Sequence, residues 1–348
     1  MSFAKLIQEA LEASDSASPN RIAPEIVVVG CGGGGCNSIQ RLKRIGLEGV
    51  TTIALNTDRY HLSGIAADKK IFIGENVTKG YGTGGDLSLA EKCARDFQDS
   101  IAQAVSGADL IFITAGMGGG TGTGVSPVVA EIGCRNGALV VALVTTPFSF
   151  ERGRLSTAQR GVSKLNEIAH CTVVLDNNKL LDIAPKLPIE RAFTVMDHLI
   201  AETIKGFSET ISEPSMINLD FSDFRSIMSV GGIGTMLFGE SEDVKELVDE
   251  ALSNPFLEVD FSEANGALIH ITGGSELPLK RVHQIFKGIV DALPSARNVK
   301  FGARVRTDRS RMINVMGIVT GVKPRINDFL SEPASEIARQ RESKLARA

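Results

Sequence analysis

The chain has 348 residues, with 37 lysines and arginines against 41 aspartates and glutamates, for a formal net charge of −4. That balance excludes the global basic field by which a protein holds nucleic acid, and no apolar run reaches the roughly 20 residues that cross a bilayer. The length exceeds one ordinary core and predicts two domains; the N-terminus lacks a signal-peptide core, so the expected location is the cytoplasm.

Residues 1–24 read as a flexible leader. Phe3, Leu6, Ile7, Ala10 and Leu11 make one apolar stripe of a short amphipathic helix, and a Ser/Asp/Pro/Asn link follows. From residue 25 strands and helices alternate. Short β-rich apolar runs at 26–29, 51–55, 70–73, 110–114, 139–144 and 172–175 read as strands covered on both faces, with helices near 36–46, 87–105, 125–136 and 156–169 between them. The pattern predicts a doubly wound, mostly parallel α/β domain over 25–188. A long helix over 189–212 follows, bounded by Pro188 and Pro214. Beyond it come a helix start near 224, strand-like runs at 267–272, 299–301 and 312–319, and helices near 242–252 and 278–293. These predict a second, smaller α/β domain over 213–323, and the polar residues 324–348 read as a mobile tail.

The five cysteines, Cys31, Cys36, Cys93, Cys134 and Cys171, form no CxxC pair and have no histidine at zinc spacing. Free thiols and no protein metal site are expected. For Cys31 and Cys36, close together in a glycine-rich stretch, a redox or metal role is the alternative to plain burial.

Three glycine loops carry the chemistry. Gly30-Cys31-Gly32-Gly33-Gly34-Gly35 follows a strand, opens a helix and satisfies GxGxxG, with Asp58 where a ribose-binding acid would stand. Taken alone, that predicts an NAD-binding enzyme. A second loop, Gly116-Met117-Gly118-Gly119-Gly120-Thr121-Gly122-Thr123-Gly124, also sits between a strand and a helix. Its glycines can turn N–H groups inward, its threonines add hydroxyl donors, and the helix start adds a positive dipole end. Two such loops suit a phosphate chain longer than a pyrophosphate. The third, Gly80-Tyr81-Gly82-Thr83-Gly84-Gly85-Asp86, adds donors for a terminal phosphate, and no GxxxxGK[ST] of the Walker type is present. Far downstream, Asn218-Leu219-Asp220-Phe221-Ser222-Asp223 puts two acids three residues apart at a helix start. They read either as an N-cap with a first-turn acid or as a catalytic pair.

Together these residues resemble the tubulin/FtsZ GTPase superfamily. Gly116–Gly124 looks like its signature loop, and residues 218–223 match the Asn-x-Asp-x-x-Asp synergy loop of FtsZ. The resemblance runs from about 25 to 322; Asp176-Asn177-Asn178, Ser226-Ile227-Met228-Ser229 and residues 266–274 look most like the second archaeal paralogue group. It implies that Gly33, Gly34, Gly35, Cys36 and Asn37 form the first phosphate loop, Cys36 replacing a glycine often found there. Gly82, Thr83 and Gly84 would meet the terminal phosphate, and Gly118, Gly119, Gly120, Thr121, Gly122 and Thr123 would form the second loop. Glu151 matches the ribose acid, Asn177 and Asp197 the groups that read the guanine edge, and Phe193 a ring stacked on the base. A carboxylate accepting from the guanine N1–H and N2–H₂ pair separates guanine from adenine. The family's arginine falls on Arg154 through a one-residue deletion, with Arg152 as competitor.

The same resemblance implies a mechanism. Asn218, Asp220 and Asp223 would act on the GTP of a neighbouring subunit, so that head-to-tail self-assembly completes the site and builds filaments of the division ring at mid-cell. GTP and GDP are the implied ligands, with Mg²⁺ held mainly by phosphates and water. A paralogue and a membrane-anchor protein are implied as partners, with no direct membrane insertion. The alternative reading is a nucleotide-gated scaffold with negligible hydrolysis.

Overall fold

The computed structural model describes residues 23–212, 217, 219–253, 259–306 and 311–324. The expected leader helix, Asn218 and all but the first residue of the expected tail lie outside them.

The first half alternates as its apolar runs predict: β1 (Ile26–Cys31), α1 (Gly32–Ile45), β2 (Val50–Asn56), α2 (Arg59–Gly64), β3 (Lys69–Phe72), α3 (Glu75–Thr78), α4 (Leu87–Asp96) and α5 (Gln98–Ala104). It continues through β4 (Leu110–Gly116), α6 (Gly120–Arg135), β5 (Leu139–Thr146), α7 (Arg152–Asn166), β6 (Cys171–Asp176) and α8 (Lys179–Ile183) to the long helix α9 (Ile189–Ser212). The second half comprises α10 (Phe221–Met228), β7 (Ile233–Ser241), α11 (Val244–Ser253), β8 (Val259–Asp260), β9 (Gly266–Gly273), α12 (Leu279–Asp291), β10 (Asn298–Val305), β11 (Ile313–Thr320) and β12 (Lys323–Pro324).

Ten strands share one sheet in the order β10-β9-β11-β7-β6-β5-β4-β1-β2-β3. From β6 to β3 every pairing is parallel. Strand β7 joins β6 in parallel through Thr172↔Ile233 and Val173↔Gly234, and β11 runs antiparallel between β7 and β9. Strands from both expected domains therefore belong to one sheet, joined through that two-residue pairing. Strands β8 and β12 form a separate ribbon.

Side-chain alternation divides the core between the two faces of the sheet. Val27 and Val29 turn toward Val125, Val128 and Val129 of α6 and Ala90 and Cys93 of α4. Ile26 and Val28 turn toward Ile39 and Leu42 of α1 and Ile200, Ile204 and Phe207 of α9. With every residue of β1 buried, each large aliphatic here contributes about 1.5–3 kcal/mol.

Four expectations about elements need correction. Helices α1 and α6 start at Gly32 and Gly120, four and five residues earlier than the apolar periodicity indicates, because the glycine loops are themselves their first turns. The single helix expected over 87–105 is two, broken at Phe97, whose φ of −110° and ψ of 17° leave the helical range. Helix α7 begins at Arg152 rather than near 156. Strand β7 answers to none of the strand-like runs in the sequence.

Helix α10 ties the acidic loop to this core. Asp220 and Asp223 form a capping box at its start. One turn on, the fully buried Phe224 meets Phe112 of β4 edge-on at 6.2 Å and Phe207 of α9 at 5.8 Å. Phe224→Ala removes the ring common to both contacts and should lower the unfolding free energy by about 3–5 kcal/mol, read from a denaturant titration.

Candidate nucleotide site

The carboxyl ends of β1, β4, β5 and β6 open into a cleft of about 390 Å³. Gly33, Gly119, Gly120, Thr121 and Arg154 also border an adjoining space of about 510 Å³, so the two form one elongated groove. Helices α1 and α6 both point their first turns into it. Neither has a side-chain cap and neither carries an acid in its first turn, so orphan N–H donors and two positive dipole ends converge on one place. A helix start that faced only solvent would ordinarily be capped by its own side chains. Here the donors are left for an anion.

Glycine makes this convergence sterically feasible. A Cβ on Gly35 would collide with the carbonyl oxygen of Thr114, and one on Gly122 would lie 2.7 Å from that of Gly116. Gly118 takes φ +98°, and its N–H donates to Oγ1 of the buried Thr123 at 2.8 Å, which closes the loop on itself.

The structure brings together Gly33, Gly34, Asn37, Gly82, Thr83, Gly84, Gly118, Gly119, Gly120, Thr121, Gly122, Glu151, Arg154, Asn177, Phe193 and Asp197 along the groove. Gly35, Cys36 and Thr123 do not line it. Gly35 is pressed against β4, and the Thr123 hydroxyl is spent on Gly118. The Cys36 thiol lies in the core, 3.7 Å from the carbonyl oxygens of Gly30 and Leu55, and burial pushes it up to about 12. Burial raises Cys31 as well, so neither thiol has the thiolate character that redox or metal chemistry requires. All five cysteines are free. Among the described residues no group of three or more His, Cys, Asp or Glu side chains is arranged to hold a metal.

At the inner end Asp197 accepts the Ser38 hydroxyl at 2.8 Å. Burial pushes its carboxyl up to about 6, against the opposing pull of Ser38 and the Arg41 charge. Nearby, Asn177 is buried with its Oδ1 lacking any protein partner. Its neighbours are fixed: Asp176 accepts the Asn178 N–H at 2.9 Å, and Asn178 accepts the Ser149 N–H at 2.7 Å. An ionisable acceptor and an orphaned acceptor in one apolar-walled end fit a ligand edge rich in N–H donors. Phe193, 41% exposed, presents a ring there and is held edge-on by Phe148 at 5.6 Å.

Arg154 borders both parts of the groove and pairs with Glu151, Nη1 to Oε2, at 2.6 Å; Arg152 borders neither. Glu151 is steadied further by accepting the Phe148 N–H at 3.1 Å. Asp58, the ribose acid of an NAD reading, instead caps α2 by accepting the His61 N–H at 2.9 Å. Motif spacing did not reveal the relay behind the outer end. His61 Nε2 donates to Asn37 Oδ1 at 3.1 Å while Asn56 Nδ2 donates to His61 Nδ1 at 3.3 Å, which holds Asn37 in place. The only sequence trace of that relay is the Asp58–His61 capping spacing. Tyr60 and Tyr81 stand nearby, 90% and 89% exposed. Asp220 and Asp223 do not border the groove.

Comparison with known proteins agrees with this geometry. Residues 25–185 match the model of the "Tubulin/FtsZ family, GTPase domain" and residues 231–323 that of the "FtsZ family, C-terminal domain". The chain is 50% identical over 303 residues to cell division protein FtsZ 2 of Halobacterium salinarum, spanning 86% of this chain and 77% of that protein. It is 47% identical over 332 residues to FtsZ 2 of Methanocaldococcus jannaschii, spanning 93% and 87%. A solved FtsZ dimer from M. jannaschii superposes with a TM-score of 0.80 at 36% identity, covering 96% of this chain and 99% of that one. CetZ2 from Haloferax volcanii shares the fold, with a TM-score of 0.76 at 22% identity, over 92% of this chain and 99% of that one. The chain is thus a GTPase of the tubulin/FtsZ family, in its FtsZ branch, a membership that implies guanine-nucleotide binding.

Proposed function

We propose that this chain binds GTP and GDP in the groove and hydrolyses GTP when a second copy docks head to tail, building filaments of the cell-division ring. The observation that carries this is the pair of uncapped, acid-free helix starts facing a groove whose own acids are engaged. Asp58 caps α2 and Glu151 pairs with Arg154, so the groove holds phosphate yet offers no idle carboxylate to orient water. Asp220 and Asp223 sit on a separate surface, as a site divided between two molecules requires. A contact between unlike surfaces that does not close generates a filament, and the M. jannaschii FtsZ relative was solved as a dimer.

In this reading residues 25–188 are the GTP-binding domain, α9 is the central helix and 213–323 complete the neighbour's site. Phosphates rest on the two helix starts, Gly82, Thr83 and Gly84 meet the terminal phosphate, Glu151 and Arg154 hold the ribose side, and Phe193 stacks on the base. Asp197 and Asn177 read guanine. Mg²⁺ is held mainly by phosphate oxygens and water, the habit of a cation that dehydrates reluctantly. Asn218, Asp220 and Asp223 orient water on the neighbour's γ-phosphate. The working place is the mid-cell division site, with a paralogue and a membrane-anchor protein as partners. Among the described residues no helix is long and apolar enough to cross a membrane.

Three outcomes follow. Turnover per subunit should rise steeply with protein concentration, and Asp223→Ala should bind GTP and sediment as polymer while losing at least about tenfold in turnover; turnover flat in concentration would instead favour a scaffold. Guanine binding takes the ionised form of Asp197, so GDP affinity should be full above about pH 6. It should fall by up to tenfold per pH unit below that, and Asp197→Asn should abolish the dependence, both read by calorimetry. Arg154→Ala should weaken GDP binding about five- to thirtyfold by loss of a charge-assisted contact, whereas Arg152→Ala should leave it within about twofold, by the same titration.

A further inference from the structure

The acids of the 219–223 loop are held in a particular way. Asp220 Oδ1 accepts the Asp223 N–H at 2.8 Å and the Ser222 hydroxyl at 2.6 Å, and Asp223 Oδ2 accepts the Asp220 N–H at 3.3 Å. One oxygen of Asp223 is therefore tied to the helix start. The other, Oδ1, lies 2.9 Å from the Nζ of Lys300 on β10. Two residues before Lys300 on the same strand, Asn298 donates to the Ser226 hydroxyl at 3.3 Å, and Ser226 in turn donates to the Asp223 carbonyl oxygen at 2.8 Å.

Strand β10 thus grips α10 at two points, one neutral and one ionic. The neutral link, together with buried Phe224, already fixes the helix. The ionic one adds little to stability, since the Lys300 and Asp223 side chains are 40% and 25% exposed and ion pairs in such surroundings are worth little. What it does change is where the carboxylate points and how much charge the loop presents.

We propose that Lys300 is a positioning residue for hydrolysis across the subunit contact, its ammonium aiming the Asp223 carboxylate and offsetting the loop's negative charge as it meets a neighbour's triphosphate. This rests on the divided-site reading above. Two carboxylates brought to a polyanion repel it at short range, and a cation beside them removes half of that charge where screening is weakest.

The test is GTP turnover, at saturating GTP and at protein concentrations well above the assembly threshold, for the native chain, Lys300→Met, Lys300→Arg and Asp223→Ala. Lys300→Met should lower turnover per assembled subunit about three- to tenfold with GDP affinity unchanged, and Lys300→Arg should restore most of that turnover. Thermal unfolding and GDP binding report that each fold is intact, with Lys300→Gln replacing the methionine variant if it is not. Native turnover in the methionine variant overturns the role of Lys300. Native turnover in Asp223→Ala overturns the divided site itself, so the two failures are distinguishable.

Discussion

The close approach of two helix starts to two strand ends is the constraint on which the rest depends. Helices α1 and α6 can bring their unpaired N–H groups to one groove only if their first turns lie against the backbone of β4. Any side chain at Gly35 or Gly122 would push them off it. Glycine is a poor helix former, destabilising by roughly 1 kcal/mol per residue relative to alanine, and α1 opens with four of them in a row. That local weakness is offset by the apolar burial farther along each helix, at Ile39 and Leu42 in α1 and at Val125, Val128 and Val129 in α6. The core holds the helices in place; the glycines let them come close.

Charge is distributed to match. On the groove, Asp58 caps α2 and Glu151 pairs with Arg154, while the inner end holds Asp197, whose carboxyl burial raises. The 219–223 acids stand apart, on a helix anchored by Phe224 between β4 and α9. Packing through that ring ties the helix carrying those acids to the sheet that also supplies the groove. In the proposed reading, a single copy carries both halves of a site that only a second copy brings together.

Much of this was legible in the sequence, for identifiable reasons. The parallel strands β1, β2, β4, β5 and β6 are doubly covered and so appear as continuous apolar runs. Strand β7 was missed because Gly234, Gly239 and Glu240 interrupt its run and Phe238 faces outward at 43% exposure. The helix starts were read too late because glycine looks like loop by propensity, although here close packing overrides it. Gly35, Cys36 and Thr123 were assigned to the ligand by their place in a motif, yet once the loop is known to be helical its 3.6-residue period turns those positions inward. The choice between Arg152 and Arg154 depended on which side of the α7 start faces the groove. The His61 relay needed three separate segments, and no local pattern encodes it.

The chain has no tryptophan and only two tyrosines. Both, Tyr60 and Tyr81, stand at the mouth of the groove with their rings in water, and Tyr81 is bridged to Asp58 across the backbone. The protein's tyrosine emission therefore originates from beside that groove, while the rest of the sheet holds phenylalanine as its only aromatic residue. Whatever covers that side of the groove changes the surroundings of these two rings, giving the unlabelled protein a reporter confined to that neighbourhood.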